Sequence, residues 1–474
     1  MRRPILTLLA ASAFLAAVSS SIWLEDSGGG AESLVNFSHL RHLTERIEFG
    51  DEMVDIVRIY AKYPHYEWLE AADAGPEGIA CVDDAARAAV LYLRCYESNG
   101  DATSLKAARA LLRFVLGMQA EDGQFYNFIF SDHSINTEGR TSRKSFDWWA
   151  ARAVWAMGRG FETMHLEDPA FARILKERLE KTVPHLEAML ERRGEAYGVD
   201  GYLIPRWLIN GSAADATSEL MMGLVAWYSA ESDSVLGDMI RAFAEGLVLM
   251  QDGDEVRFPY GLHRSWKTEW HMYGNGQTAA LASAGLILGD SLMIGSAERE
   301  ARGFYARLLI EGFMKWMDLL SPDERREYEQ IAYGIRPMAV GLIRTYEATG
   351  RREYAIMAGL TAAWLTGNNV LSQKMYDPAT GRCYDGISDS VSLNRDSGAE
   401  STIEALLTLA EIERYPEALD YLRYRRVDRG EVGDTLHALF EDPEGQGLLL
   451  LLNQSDGRLS ILEGNAARGF QRGQ

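Results

Sequence analysis

The stretch SFDWWAARAVWAMG, residues 145–158, reads as a helix without a polar face: after Asp147 only small and apolar residues follow, with Arg152 the single charge among them. A helix of that kind is buried on all sides. Others of the same composition start near residues 82 (AARAAV), 215, 274 (TAALASAGLILG), 333 (PMAVGL) and 397, at intervals of 59 to 70 residues. Between them run helices with a charged face, such as FARILKERLEKTV at 171–183. The apolar period predicts twelve helices, at 44–62, 82–97, 102–118, 145–162, 168–193, 215–230, 234–250, 275–289, 296–319, 333–348, 352–366 and 397–413. A hairpin therefore repeats six times, with the small-residue helices crowded at the centre and the amphipathic ones outside. The loops that enter inner helices are long (119–144, 252–273, 368–396) and full of Trp, Tyr, Asp and Arg, whereas those that leave them are a few residues. Long loops gathered at one end mark a functional face.

The chain has 474 residues, 47% hydrophobic and 25% charged, which is globular composition with a large core. Residues 1–19, with Arg2 and Arg3 before an apolar run, read as a signal peptide, and 20–44 as a linker. The run is short for a bilayer span, so an uncleaved anchor is the alternative. A secreted, periplasmic or cell-envelope location follows. The repeat occupies 45–415, and 416–474 form a small C-terminal appendage with two short strands around Ser455-Asp456-Gly457. A net charge of -21 argues against nucleic acid or an anionic membrane as partner. Cys81, Cys95 and Cys383 imply no disulfide framework. No HExxH, CxxC or G-x-S-x-G motif is present, so no metal and no cofactor are expected.

Six helical hairpins with a loop-rich end resemble the (α/α)6 barrel of the six-hairpin glycosidase superfamily over roughly residues 45–415. The local features that carry the resemblance are CVDDAARA (81–88), SFDWWAARAVWAMG (145–158), EWHMYGNGQ (269–277), MYDPATGRCYDG (375–386) and SGAESTIEALL (397–407). The resemblance implies an all-α barrel and a carbohydrate substrate.

Several carboxylates stand at inner-helix starts, where charge suits the helix dipole as well as a substrate. Asp83 and Asp84 open the first, with Arg87 in pairing distance of either. Asp147 precedes Trp148 and Trp149, an apolar wall of the kind that adapts a carboxyl to general-acid work. Asp215 reads as a cap, and Glu219 is left open. Ser397 and Glu400 have capping-box spacing, and Glu404 lies a turn further on the same side. Trp266, Glu269, Trp270, His271, Tyr273, Asn275 and Gln277 crowd the loop before the fourth inner helix, where aromatic rings suit sugar faces and amides suit hydroxyls. Asp385 and Asp389 lie in a loop that permits binding or capping.

These residues together point to an exported glycoside hydrolase that uses two carboxyl groups. Asp147 or Asp84 is one candidate, and Glu400 or Glu269 the other. The expected sugar contacts are Asp83, Trp148, Trp266, Trp270, His271, Tyr273, Asn275, Gln277, Asp385 and Glu404. With Glu400 placed opposite Asp147, a water fits between them and inversion is expected. A polysaccharide lyase or sugar epimerase would instead use His271 or a tyrosine as base, with loop cations such as Arg140, Arg143, Lys144, Arg264, Lys267, Lys374 and Arg382 suited to a uronate. A non-catalytic glycan-binding envelope protein is the third reading.

Overall fold

A computed structural model describes residues 33–464 and 466–467, so the expected signal peptide at 1–19 lies outside the described residues. Six helices form the inner ring: Val82–Asn99, Trp148–Glu167, Ala214–Glu231, Gln277–Leu288, Ala332–Thr349 and Ala399–Ile412. Each packs against the next, and the sixth packs against the first, which closes the ring. The outer layer has Ala102–Gly117, Pro169–Glu180, Ser234–Leu249, Ser291–Glu311 and Arg352–Thr366. The fold is thus the all-α (α/α)6 barrel, with a C-terminal β appendage.

Small residues let the inner helices touch backbone to backbone. A Cβ on Gly158 would stand 2.2 Å from the Gly223 carbonyl oxygen, and one on Gly223 would stand 2.5 Å from that of Val154. The second and third inner helices therefore cross on this glycine pair. Gly223→Ala is expected to cost about 1–3 kcal/mol, because the obstruction is backbone and the helices must part; urea denaturation would show it, and an unchanged midpoint would contradict this packing.

Four of the turns that leave the inner helices share one chemistry. Gly100, Ser232, Gly289 and Gly350 take positive φ at the helix ends, and Asp101, Asp233 and Asp290 cap the outer helix that follows. Below, the Glu411 carboxylate accepts from Arg94 at 2.5 and 2.9 Å and from Arg344 at 2.8 Å. Burial opposes its charge, but Arg344 and Arg94 overcome it and hold the carboxyl down to about 2. A depressed folded pKa gives stability that is full above the ordinary value of 4.5 and is lost as pH falls toward 2. Glu411→Gln is expected to flatten the stability profile between those values, measured as unfolding midpoint against pH; an unchanged slope would count against the network.

Two expected helices are otherwise. Residues 44–62 form an antiparallel hairpin, Thr44–Phe49 with Glu52–Val57, around Gly50. Ile47, Val54, Ile56 and Val57 are its buried residues, and the Gly50-Asp51 pair turns the chain where a helix would have needed continuity. This hairpin and the short helix Ser38–Leu43 stand where a sixth outer helix was expected, packed on the first outer and sixth inner helices respectively. The segment 296–319 is helical only to Glu311; Gly312 breaks it, and Trp316–Asp318 is a strand paired with Glu269–His271. At the C-terminus the two strands expected in 445–464 are Gly447–Asn453 and Leu459–Glu463, joined by Arg425–Val432 and Thr435–Glu441 in one antiparallel meander. The run Leu448–Leu452 is unbroken because the sheet has two covered faces: Leu448, Leu450 and Leu452 meet the main core and Leu449 packs with Leu439 and Ala467.

Candidate active site

Charge at the centre of the ring is neutralised by three arginines, one each from the first, second and fifth inner helices. Arg87, 2% exposed, donates to Asp84 at 2.7 Å, Glu404 at 2.8 Å and Glu400 at 3.3 Å. Arg336 donates to Glu219 at 2.9 Å and to the other oxygen of Glu404. Arg152 donates to Asp83 at 2.7 Å and to the Tyr333 hydroxyl. All three guanidinium groups lie over the Tyr333 ring, at 5.0, 5.1 and 5.8 Å from its centre. An arginine inside an alanine helix has no route to solvent, so it must be paired.

This cluster removes two expected site residues from contact with substrate. Asp84 is buried between Arg87 and the Cys81 thiol, and burial pushes its carboxyl up despite Arg87; it is not a reachable acid. Glu404 is 0% exposed and spans Arg87 and Arg336, so it supports the cleft floor from below. Asp83 is half-buried and taken up by Arg152 and by Asn127 at 3.0 Å.

The start of the sixth inner helix is not capped as its sequence suggests. No capping box forms. Asp385 accepts from the Gly398 N–H at 2.9 Å and from the Ser401 hydroxyl at 2.5 Å, both through Oδ1, so Asp385 caps this helix. Ser397 is buried with its hydroxyl against Thr402. Glu400 is thereby released: its side chain is 46% exposed, Arg87 holds one oxygen, and the other has no hydrogen-bond partner among the described residues.

The loop before the fourth inner helix is a strand at Glu269–His271, and period-two alternation divides its residues. Glu269 faces outward and accepts from the Trp316 indole N–H at 2.6 Å. Trp270 points the other way, 1% exposed and edge-on to Phe304 at 4.9 Å, which makes it core where a sugar platform was expected. His271 is bonded to Asp215 at 3.1 Å and stacks on Tyr273 at 4.1 Å. Its ring lies directly on Gly274, where a Cβ would stand 2.6 Å from Nδ1, and Nδ1 is buried without a protein partner. Gln277 is buried and donates to the carbonyls of Arg264 and Gly274, and Asn275 is buried beside it; both belong to the turn and not to the open cleft. Trp266 remains half-exposed, with Lys267 over its ring at 5.6 Å. Trp270→Ala is accordingly expected to lose about 3 kcal/mol of stability, and Trp266→Ala to leave melting nearly unchanged while weakening sugar binding. The reverse pattern in melting and titration would contradict the assignment.

Asp147 caps its helix through one oxygen, which accepts from the Trp148 N–H at 2.8 Å; the other is without a hydrogen-bond partner among the described residues. Trp148 is half-buried beneath Arg152, whereas Trp149 is core and donates to the Phe125 carbonyl. Burial pushes the Asp215 carboxyl up, against its bond to His271, and Asp147 adds to the rise, which makes the two neighbours. The Tyr273 phenol is likewise raised, by burial first and then by Asp215, Glu269 and Glu400. One phenol thus senses carboxylates from two inner helices and a strand. The order of the ring corrects one expectation: the sixth helix faces the third and the second faces the fifth, so Glu400 stands across from Asp215 and not from Asp147. Asp147 caps the second inner helix, Glu269 lies in the strand before the fourth, and Glu400 is in the first turn of the sixth.

Sequence reading missed Asp215 as a site residue, and with it Arg152, Tyr333 and Arg336. The signal for Arg152 was present in WAARAV, where a lone charge sits among alanines; Arg336, in GIRPMAV, has no such setting. A second histidine array, His263 with Glu300 at 2.7 Å and Ser296 at 2.9 Å, has the order of a nucleophile triad but is completely buried, which makes it structural.

No protein-family model and no curated protein sequence matches the chain. Its structure is similar to that of a sugar epimerase from a ruminal bacterium (TM-score 0.55, 13% identity, 79% of this chain and 95% of that one). It is also similar to a cellobiose 2-epimerase from Bacillus thermoamylovorans (0.56, 12%, 79% and 95%) and to a D-mannose isomerase (0.52, 11%, 76% and 91%). At these identities the likeness is one of fold, the (α/α)6 barrel.

Proposed function

We propose that the protein is an exported carbohydrate-active enzyme, a glycoside hydrolase whose working carboxyl groups are Glu400 and Glu269. The observation that carries this reading is the set of half-exposed carboxylates at the barrel mouth, Asp147, Glu269 and Glu400. Each is pinned by one oxygen, to a backbone N–H, an indole N–H and a guanidinium respectively, and keeps the other free. The charges of both Glu269 and Glu400 reach the Tyr273 phenol. Glu400, ion-paired with Arg87, serves as base or nucleophile; Glu269 serves as proton donor to the leaving oxygen. Asp147, Trp148 and Trp266 line the same mouth and hold the sugar. Fold alone permits an epimerase, but that chemistry asks for a base with a free lone pair in the cleft, and His271 has one nitrogen on Asp215 and the other turned against Gly274.

A panel of neutral and acidic oligosaccharides, followed for new reducing ends, tests the proposal. Cleavage by the wild type and its loss in Glu269→Gln support it; an epimerised sugar with no new reducing end would move the assignment to the epimerase reading.

A further inference from the structure

Two arginines of the strand Arg425–Val432 meet in one cavity with no carboxylate bonded to either. A β-bulge at Val427 brings them together: Arg426 stands opposite Phe440 and Arg429 opposite Ala438, so both side chains share one face of the sheet. Phe440 and Ala438 belong to the main core, which fixes that face toward the barrel. Beneath it lies a cavity of about 160 Å³, lined by Arg426, Arg429, Gly312, Phe313 and Tyr328. Arg325 adds a third cation to the lining, and Glu311 and Glu327 add two carboxylates, of which Glu311 is 3.8 Å from Arg307.

The two guanidinium groups are only partly satisfied. Arg426 gives Nη1 to the carbonyls of Leu309 and Ile310, each at 3.1 Å, at the end of an outer helix. Arg429 has no hydrogen bond or ion pair among the described residues, and its Nη1 faces Gly312, where a Cβ would stand 3.4 Å away. Burial and then Arg429 push the Arg426 pKa down to about 10, the mark of like charges sharing a half-buried space. An anion seated between them relieves that repulsion, and a planar carboxylate matches guanidinium geometry. The volume is about five times the share of one water in the liquid, room for a single sugar ring, and the half-buried Phe313 and Tyr328 offer it aromatic surface.

We propose that this cavity is a second glycan site, distinct from the barrel mouth, that takes a carboxylate-bearing sugar unit, a uronate, through Arg426 and Arg429. The choice of a sugar rests on the reading of the chain as a glycan-acting enzyme; the anion site rests on the arginines. Calorimetric titration with D-glucuronate, D-glucose and inorganic sulfate tests it on the wild type, Arg429→Gln and Glu400→Gln. Arg429 is exposed, so its variant is expected to melt with the wild type. Glucuronate is expected to bind at least about tenfold more tightly than glucose, to lose about tenfold in Arg429→Gln, and to bind Glu400→Gln as it binds the wild type. Equal binding by Arg429→Gln would overturn the site. Sulfate as tight as glucuronate would overturn the sugar, and loss in Glu400→Gln would place binding in the barrel mouth. Because the readout is binding, a chain that cleaves nothing yet holds glucuronate at Arg429 fails as a hydrolase and keeps this site.

Discussion

Glu400→Gln is expected to lose about 100- to 10,000-fold in turnover with the fold intact. The amide oxygen can still accept from Arg87, so the variant preserves the hydrogen bond that positions the side chain and removes only charge and proton exchange. The side chain is 46% exposed, and its link to Arg87 at 3.3 Å is the longest of that guanidinium's three carboxylate contacts, so little stability should go with it. Initial rates on the cleaved oligosaccharide, with a melting curve beside them, make the measurement. A Glu400→Gln enzyme of near wild-type rate would reduce this glutamate to a counterion for Arg87.

Arg87→Met, by contrast, is expected to cost about 3–5 kcal/mol of folding stability, because Asp84 would remain buried without a cation and Glu404 would lose one of its two. Both are nearly inaccessible to water, and Glu404 keeps only Arg336. The loss should shrink when Asp84→Asn is added, since one uncompensated charge is then removed. Urea unfolding of the wild type, the single variants and the double variant completes the cycle. A change below about 1 kcal/mol in Arg87→Met would mean that water reaches the cluster.

The architecture was legible in the sequence wherever composition and turn chemistry agreed. Alanine-rich helices followed by Gly100-Asp101, Ser232-Asp233 or Gly289-Asp290 declare both their burial and their ends. The hairpin at 44–57 was not legible as strand, because its apolar spacing fits both periods and only Gly50 distinguishes them. Site chemistry was half legible. Residue types at the barrel mouth could be named, but not their orientation: Glu269, Trp270 and His271 looked alike as loop residues, and a three-residue strand sends Trp270 into the core. Capping was ambiguous for a different reason. Ser397 and Glu400 have the right spacing, but Asp385, twelve residues before Ser397, takes the helix start from earlier in the entering loop. Contacts between elements far apart in the chain, such as Asp215 with His271, carry no local signature at all.

The central claim, cleavage between Glu269 and Glu400, is tested most directly by one reaction run in heavy water and followed by proton NMR. Hydrolysis is expected to produce new reducing-end anomeric signals while every carbon-bound proton of the sugar keeps its intensity. Loss of a carbon-bound proton signal to deuterium exchange, with no new reducing end, would contradict the claim and assign the barrel mouth to proton transfer at carbon.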